Sequence, residues 1–85
     1  MSPVAYRDVA RAFGSVLKTV RAGAGISQEK LAELADIDRT YPSLLERGLR
    51  EPGLGVVIRI GDALKTDPVL LVRMTLLRLN RNQTV

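Results

Sequence analysis

The stretch Gly25-Ile26-Ser27-Gln28-Glu29-Lys30-Leu31-Ala32-Glu33-Leu34-Ala35-Asp36-Ile37-Asp38-Arg39-Thr40-Tyr41-Pro42-Ser43-Leu44-Leu45-Glu46-Arg47-Gly48 decides the fold. It reads as two short helices joined by a tight turn, the helix-turn-helix arrangement. Ser27 is a natural N-cap, because its hydroxyl can accept from a backbone N–H of the first turn, and it opens a helix from Gln28 to Ala35. The capping box is incomplete, with Lys30 where Glu or Gln would stand, although Glu29 still suits the positive helix end. Leu31, Leu34 and Ala35 are its expected inward face. Asp36 and Ile37 make the turn. Asp38 is the expected cap of the next helix, which should reach Arg47 and stop at Gly48.

Working outward, period-3.6 apolar positions recur on both sides and no strand-type alternation is sustained. Upstream, Val9, Phe13, Val16, Leu17 and Val20 line one face of a first helix expected from Pro3 to Arg21, stopped by Gly23 and Gly25. Gly14 interrupts it at a cost of about 1 kcal/mol relative to Ala, which suits a close packing contact. Downstream of the loop Leu49–Gly53, a fourth helix carries Leu54, Val57, Ile58, Ile60, Ala63 and Leu64. Asp67 followed by Pro68 is a cap-plus-first-position signal for a fifth helix ending near Leu79. Leu31, Leu34, Leu45 and Leu54 are the expected core leucines. The expected architecture is all-α: a compact five-helix bundle in one domain, residues 1–80, with residues 81–85 as a frayed tail.

Composition narrows the function. The 85 residues hold 13 Lys+Arg against 9 Asp+Glu, a net charge of +4, and Arg supplies most of the cations. Guanidinium forks suit phosphate oxygens and guanine edges. With no His and no Cys, imidazole and thiolate metal sites, disulfides and the usual nucleophile–base pairs are all unsupported, so neither a catalytic residue, a cofactor nor a metal is expected. No apolar run reaches the roughly 18 residues of a membrane span, and the chain start lacks a secretory layout. A cytoplasmic protein is expected.

Here the residues carry a resemblance. Arg21, then Gly25-Ile26-Ser27-Gln28 with Leu31-Ala32, then Ser43-Leu44-Leu45-Glu46-Arg47-Gly48 and Pro52, resembles the phage-repressor/Cro (XRE) family pattern over Leu17 to Val69. The resemblance implies a DNA-binding regulator of the phage-repressor fold. It implies that Arg39, Thr40, Ser43 and Leu44, on the entry and outer face of the third helix, meet base edges. Gln28 would touch phosphate and brace the reading residues, while Arg47 and Arg50 would hold the backbone. It also implies an ion pair between Arg21 and Glu46 that locks the recognition helix to its support.

Two positions depart from the family. Asp36 stands where a turn Gly is usual, and Asp tolerates positive φ better than most residues. Pro42 replaces an apolar Ile or Val; in a helix capped by Asp38 it removes a bond to the Asp38 carbonyl and pushes Tyr41 away from the α region. A late or distorted start to the recognition helix follows, and Pro42→Ile would then stabilise. The fifth helix carries more apolar residues than one buried stripe needs. This points to a two-fold homodimer through Leu70, Met74 and Leu77, with Arg73 and Arg78 toward solvent or DNA. The partners expected are double-stranded DNA and a second copy. The alternative is an antitoxin or protein-interaction module that turns the same face to a foreign protein.

Overall fold

The computed structural model describes residues 5–82, apart from the side chains of Tyr6, Arg81 and Asn82. Five helices follow one another: α1 (Tyr6–Gly23), α2 (Gln28–Ala35), α3 (Tyr41–Glu46), α4 (Leu54–Leu64) and α5 (Pro68–Asn82). Helix α1 packs on α3 and α5, α2 packs on α3 and α4, and α4 packs on α5. No helix among the described residues is long and apolar enough to cross a membrane.

Each helix end has a local cause. Ser27 caps α2, its Oγ accepting from Lys30 N at 3.0 Å, which satisfies one of the orphan N–H groups of the first turn. Asp36 ends α2 in the left-handed region at φ 55°, so the turn takes the conformation usual for glycine with an Asp in its place. Helix α1 runs two residues past the expected Arg21, through Gly23; its expected start at Pro3 lies outside the described residues. Helix α5 continues to Asn82 rather than stopping near Leu79, because neither Gly nor Pro follows Leu79 to end it. Residues 81 and 82, expected in the tail, are helical; the rest of the expected tail, 83–85, lies outside the described residues.

The core is built from Phe13, Val16 and Leu17 of α1, Leu31 and Ala35 of α2, Leu45 of α3, Val57, Ile60 and Leu64 of α4, and Leu71 of α5. Two expected core leucines are not in it. Helix α2 turns Leu31, Ala32 and Ala35 inward and leaves Leu34 49% exposed. With Ala32 rather than Leu34 facing the core, the helix is rotated about its axis relative to the expected face. Leu54 is the first residue of α4 and is 73% exposed.

Helix α5 is not wrapped on all sides. It buries Leu71, Thr75 and Leu79, and leaves Val69, Leu70, Val72, Leu76 and Leu77 exposed. Met74 is half-buried against the core. Arg78 corrects its expected place: it is half-buried and donates to Ser15 Oγ, tying α5 to α1 rather than facing solvent or DNA. Arg73 is exposed.

The third helix shows the largest difference from expectation. It starts at Tyr41, not after Asp38, and ends at Glu46, with Arg47 as its C-cap. Pro42 is the second helical residue and is buried. First-turn N–H groups have no intrahelical acceptor, so a residue lacking one fits there without losing a bond. Tyr41, expected outside the α region, is the first residue of the helix. Arg39 and Thr40 consequently lie in the turn that leads into it.

Candidate nucleic-acid interface

The interface candidate is the α2–turn–α3 unit, held from behind by a clamp. Arg21 Nε donates to Glu46 Oε2 at 2.5 Å, Arg21 Nη2 donates to Oε1 at 3.0 Å, and Arg21 Nη1 donates to the Ile26 carbonyl at 2.8 Å. Gln28 Nε2 donates to the same Oε1 at 3.0 Å. The end of α1, the start of α2 and the end of α3 are thereby joined through one carboxylate, whose side chain is only 4% exposed. Burial pushes the Glu46 carboxyl pKa up. The hydrogen bonds from Arg21 and Gln28, with the charges of Arg21 and Lys18, outweigh burial and hold it below the ordinary value. The Arg21 guanidinium is raised, chiefly by its hydrogen bond to Glu46.

Gly14 sets how deeply α3 sits. A Cβ there would stand 2.2 Å from the Leu45 carbonyl oxygen and 2.8 Å from that of Glu46. Only a residue without a side chain allows α1 and α3 to approach so closely.

The turn is ordered by its own polar groups. Asp38 Oδ1 accepts from Thr40 N at 2.8 Å and from Thr40 Oγ1 at 2.6 Å, while the Asp38 carbonyl accepts from Tyr41 N at 3.0 Å. The Thr40 hydroxyl and amide hold the Asp38 carboxyl below its usual pKa. Asp38 thus caps the turn rather than a helix. Arg59 of α4 donates to the Asp36 carbonyl at 3.3 Å, which ties the strained residue to the scaffold. The Asp38–Thr40 spacing was a readable signal for this Asx turn; the Arg59 contact, 23 residues away, had none.

Arg39 and Thr40 are exposed on the turn, Ser43 and Leu44 are half-buried on α3, and Arg47 and Arg50 are exposed beyond its end. Arg39, Arg47 and Arg50 form no ion pair among the described residues; Arg47 makes one long bond, from Nε to the Ser43 carbonyl at 3.4 Å. Gln28 is half-buried with its amide in the clamp. The structure therefore gathers Gln28 with Arg21 and Glu46, and sets Arg39, Thr40, Arg47 and Arg50 around the outer side of the same unit.

Residues 12–74 match the family model described as "Helix-turn-helix domain". An uncharacterised HTH-type transcriptional regulator of Mycobacterium tuberculosis (strain CDC 1551 / Oshkosh) is 38% identical over 65 residues, which are 75% of this chain and 46% of that protein. The chain thus spans about half the length of that relative. The control protein C.BamHI of Bacillus amyloliquefaciens is 39% identical over 64 residues, 74% of this chain and 79% of that one. Among solved structures, the restriction-modification controller protein C.Esp1396I, a tetramer in complex with its natural 35 base-pair operator, superposes with a TM-score of 0.74. Its identity is 28%, over 84% of this chain and 93% of that one. The family match covers well over half of the sequence and includes every element of the clamped unit, so the chain belongs to the helix-turn-helix domain family, in line with its phage-repressor/Cro resemblance.

Proposed function

We propose that the chain is a sequence-specific DNA-binding transcriptional regulator, a repressor or autoregulator, that seats α3 in the major groove of an inverted-repeat operator as a homodimer. The observation that carries this reading is the set of exposed, unpaired Arg39, Arg47 and Arg50 around a helix pair locked from behind by Arg21, Glu46 and Gln28. Unpaired cations gain on meeting phosphates because condensed counterions are released. A recognition helix held rigidly gives up little entropy on docking. DNA binding by the operator-bound relative supports the same assignment.

In this reading Arg39 takes the two acceptors of a guanine edge. The Thr40 proton is committed to Asp38, so its hydroxyl accepts from adenine N6 or cytosine N4, or its methyl meets a thymine methyl. Ser43 and Leu44 flank those contacts; Arg47 and Arg50 hold the backbone, and Gln28, whose amide already donates to Glu46, has a second N–H for a phosphate. The exposed apolar residues of α5 favour a two-fold pair with Leu70, Met74 and Leu77 in its seam, which would set two recognition helices roughly 34 Å apart. The reading invokes no catalytic step, cofactor or metal, and places the protein in the cytoplasm beside its operator.

Selection of bound duplexes from a random-sequence pool tests it. The full chain should enrich an inverted repeat, and Arg39→Ala should relax preference at one base pair of each half-site. Arg47→Ala should instead weaken every duplex alike and reduce the salt slope by about one unit. A pool that stays unenriched overturns the assignment, and an unchanged consensus for Arg39→Ala overturns the role of Arg39.

A further inference from the structure

The middle of helix α1 lies against the exit of the recognition helix. Gly48, two residues past the end of α3, is at φ +72°, and a Cβ there would stand 2.9 Å from Arg11 Cγ and 3.1 Å from Arg11 Cα. Farther along α1, Gly14 abuts the Leu45 and Glu46 carbonyls and Arg21 grips Glu46. The edge of α1 through residues 11, 14 and 21 therefore runs beside the second half of α3, with Arg11 at the end where the chain leaves it.

Arg11 is exposed and makes no ion pair or hydrogen bond among the described residues. Its stem is packed on the turn that carries Arg47 and leads to Arg50, both also exposed and without an acidic partner. Three guanidinium groups without an acidic partner thus come from two segments, more than thirty residues apart, that pack on each other at Gly48. The competing role for Arg11 is a cationic partner for the carbonyls at the end of α3. Three of the last four carbonyls already have donors: Ser43 O accepts from Arg47 N at 3.0 Å, Leu44 O from Leu49 N at 2.9 Å and Leu45 O from Gly48 N at 3.0 Å. Like charges without an acidic partner, whose one internal hydrogen bond is the long one from Arg47 Nε to the Ser43 carbonyl, are suited to a polyanion outside them.

We infer that Arg11 is a phosphate-binding residue of the DNA interface, contributed by α1, that extends the grip of Arg47 and Arg50 along the duplex backbone beyond the recognition helix. This rests on the DNA-binding reading above. It predicts sequence-independent affinity, since phosphate contacts carry no base information.

The test uses the full chain, its Arg11→Ala and Arg11→Lys variants, a mixed-sequence duplex and the duplex enriched by selection, with anisotropy titrations over a range of salt. Each phosphate contact adds about 0.9 to the slope of log affinity against log salt. Arg11→Ala should lower the slope by about that amount on both duplexes, leave the consensus unchanged and melt at the wild-type temperature. Arg11→Lys, which keeps the charge, should restore the slope. An unchanged slope for Arg11→Ala overturns the inference, as does a lower melting temperature with an unchanged slope, which would make Arg11 a partner of the α3 end only. Wild-type protein without salt-dependent binding to either duplex would overturn the DNA-binding reading itself, and the inference with it.

Discussion

Replacing Gly14 with Ala tests the packing that positions the recognition helix. In an exposed helix the exchange would stabilise by about 1 kcal/mol, because Ala loses less backbone freedom on folding. Here the new methyl would sit 2.2 Å from the Leu45 carbonyl oxygen, with the Glu46 carbonyl oxygen at 2.8 Å and its carbon at 3.0 Å. All three are backbone atoms, so no side chain can swing away. Reaching ordinary contact requires α1 and α3 to separate by roughly 1 Å, and overpacking of this kind costs about 1–3 kcal/mol. The obstacle being backbone places the cost at the upper end, leaving a net loss of about 1–2 kcal/mol, or roughly 4–16 °C in Tm for a domain of this size. The same separation would stretch the Arg21–Glu46 pair, so operator affinity should fall more than stability alone explains. Gly55→Ala is the control: it is in α4 with nothing within 4 Å of its added methyl, and it should be neutral or stabilising by up to about 1 kcal/mol. Thermal melts of both variants decide the matter. A Gly14→Ala protein as stable as Gly55→Ala would refute the close-approach argument.

Pro42→Ile should give no rise in melting temperature, because Pro42 occupies the second position of α3 and is buried; a rise near the roughly 3 kcal/mol expected of an interior Pro would mean the helix starts earlier. The Glu46 carboxyl is lowered in the folded state, so its stabilisation is present above the unfolded value near 4.3 and is lost as pH falls through the lower folded value. In urea unfolding from neutral pH to pH 3, the stability gap between wild type and Glu46→Gln should therefore be constant near neutrality and close in acid; a gap independent of pH would show that the charge of Glu46 contributes nothing. Glu46→Ala at neutral pH should cost less than the roughly 3–5 kcal/mol of a fully buried pair, because the Arg21 side chain keeps 15% exposure, as read by the same urea titration. Leu70→Glu and Leu77→Glu should each convert dimers to monomers with weak operator binding, and sedimentation showing dimers in both variants would move the interface off this stripe of α5.

Much of this protein was determined by local sequence. Apolar spacing predicted five helices and Ser27 predicted the start of α2, both through interactions within a few residues, while positive φ at Asp36 was legible from the Gly usual there in the family. The Arg21–Glu46 pair spans 25 residues and was legible only because it sits inside a family pattern. Tertiary structure decided the rest. Periodicity shows that a helix has an apolar side about 100° wide, but not which residues at its edges a neighbour covers. Hence Ala32 is buried, Leu34 and Leu54 are exposed, and α5 keeps a large uncovered face. Pro42 restricted the start of α3, but whether it would kink the helix or begin it depended on a buried site for its ring at the second position. Charge behaved in the same way. Composition marked the chain as rich in arginine and the family pattern singled out Arg21, whereas only packing tied Arg59 and Arg78 to other helices and left Arg11, Arg39, Arg47 and Arg50 without an acidic partner. An arginine's role depends on what lies within a few ångströms of its guanidinium, and those neighbours come from distant parts of the chain.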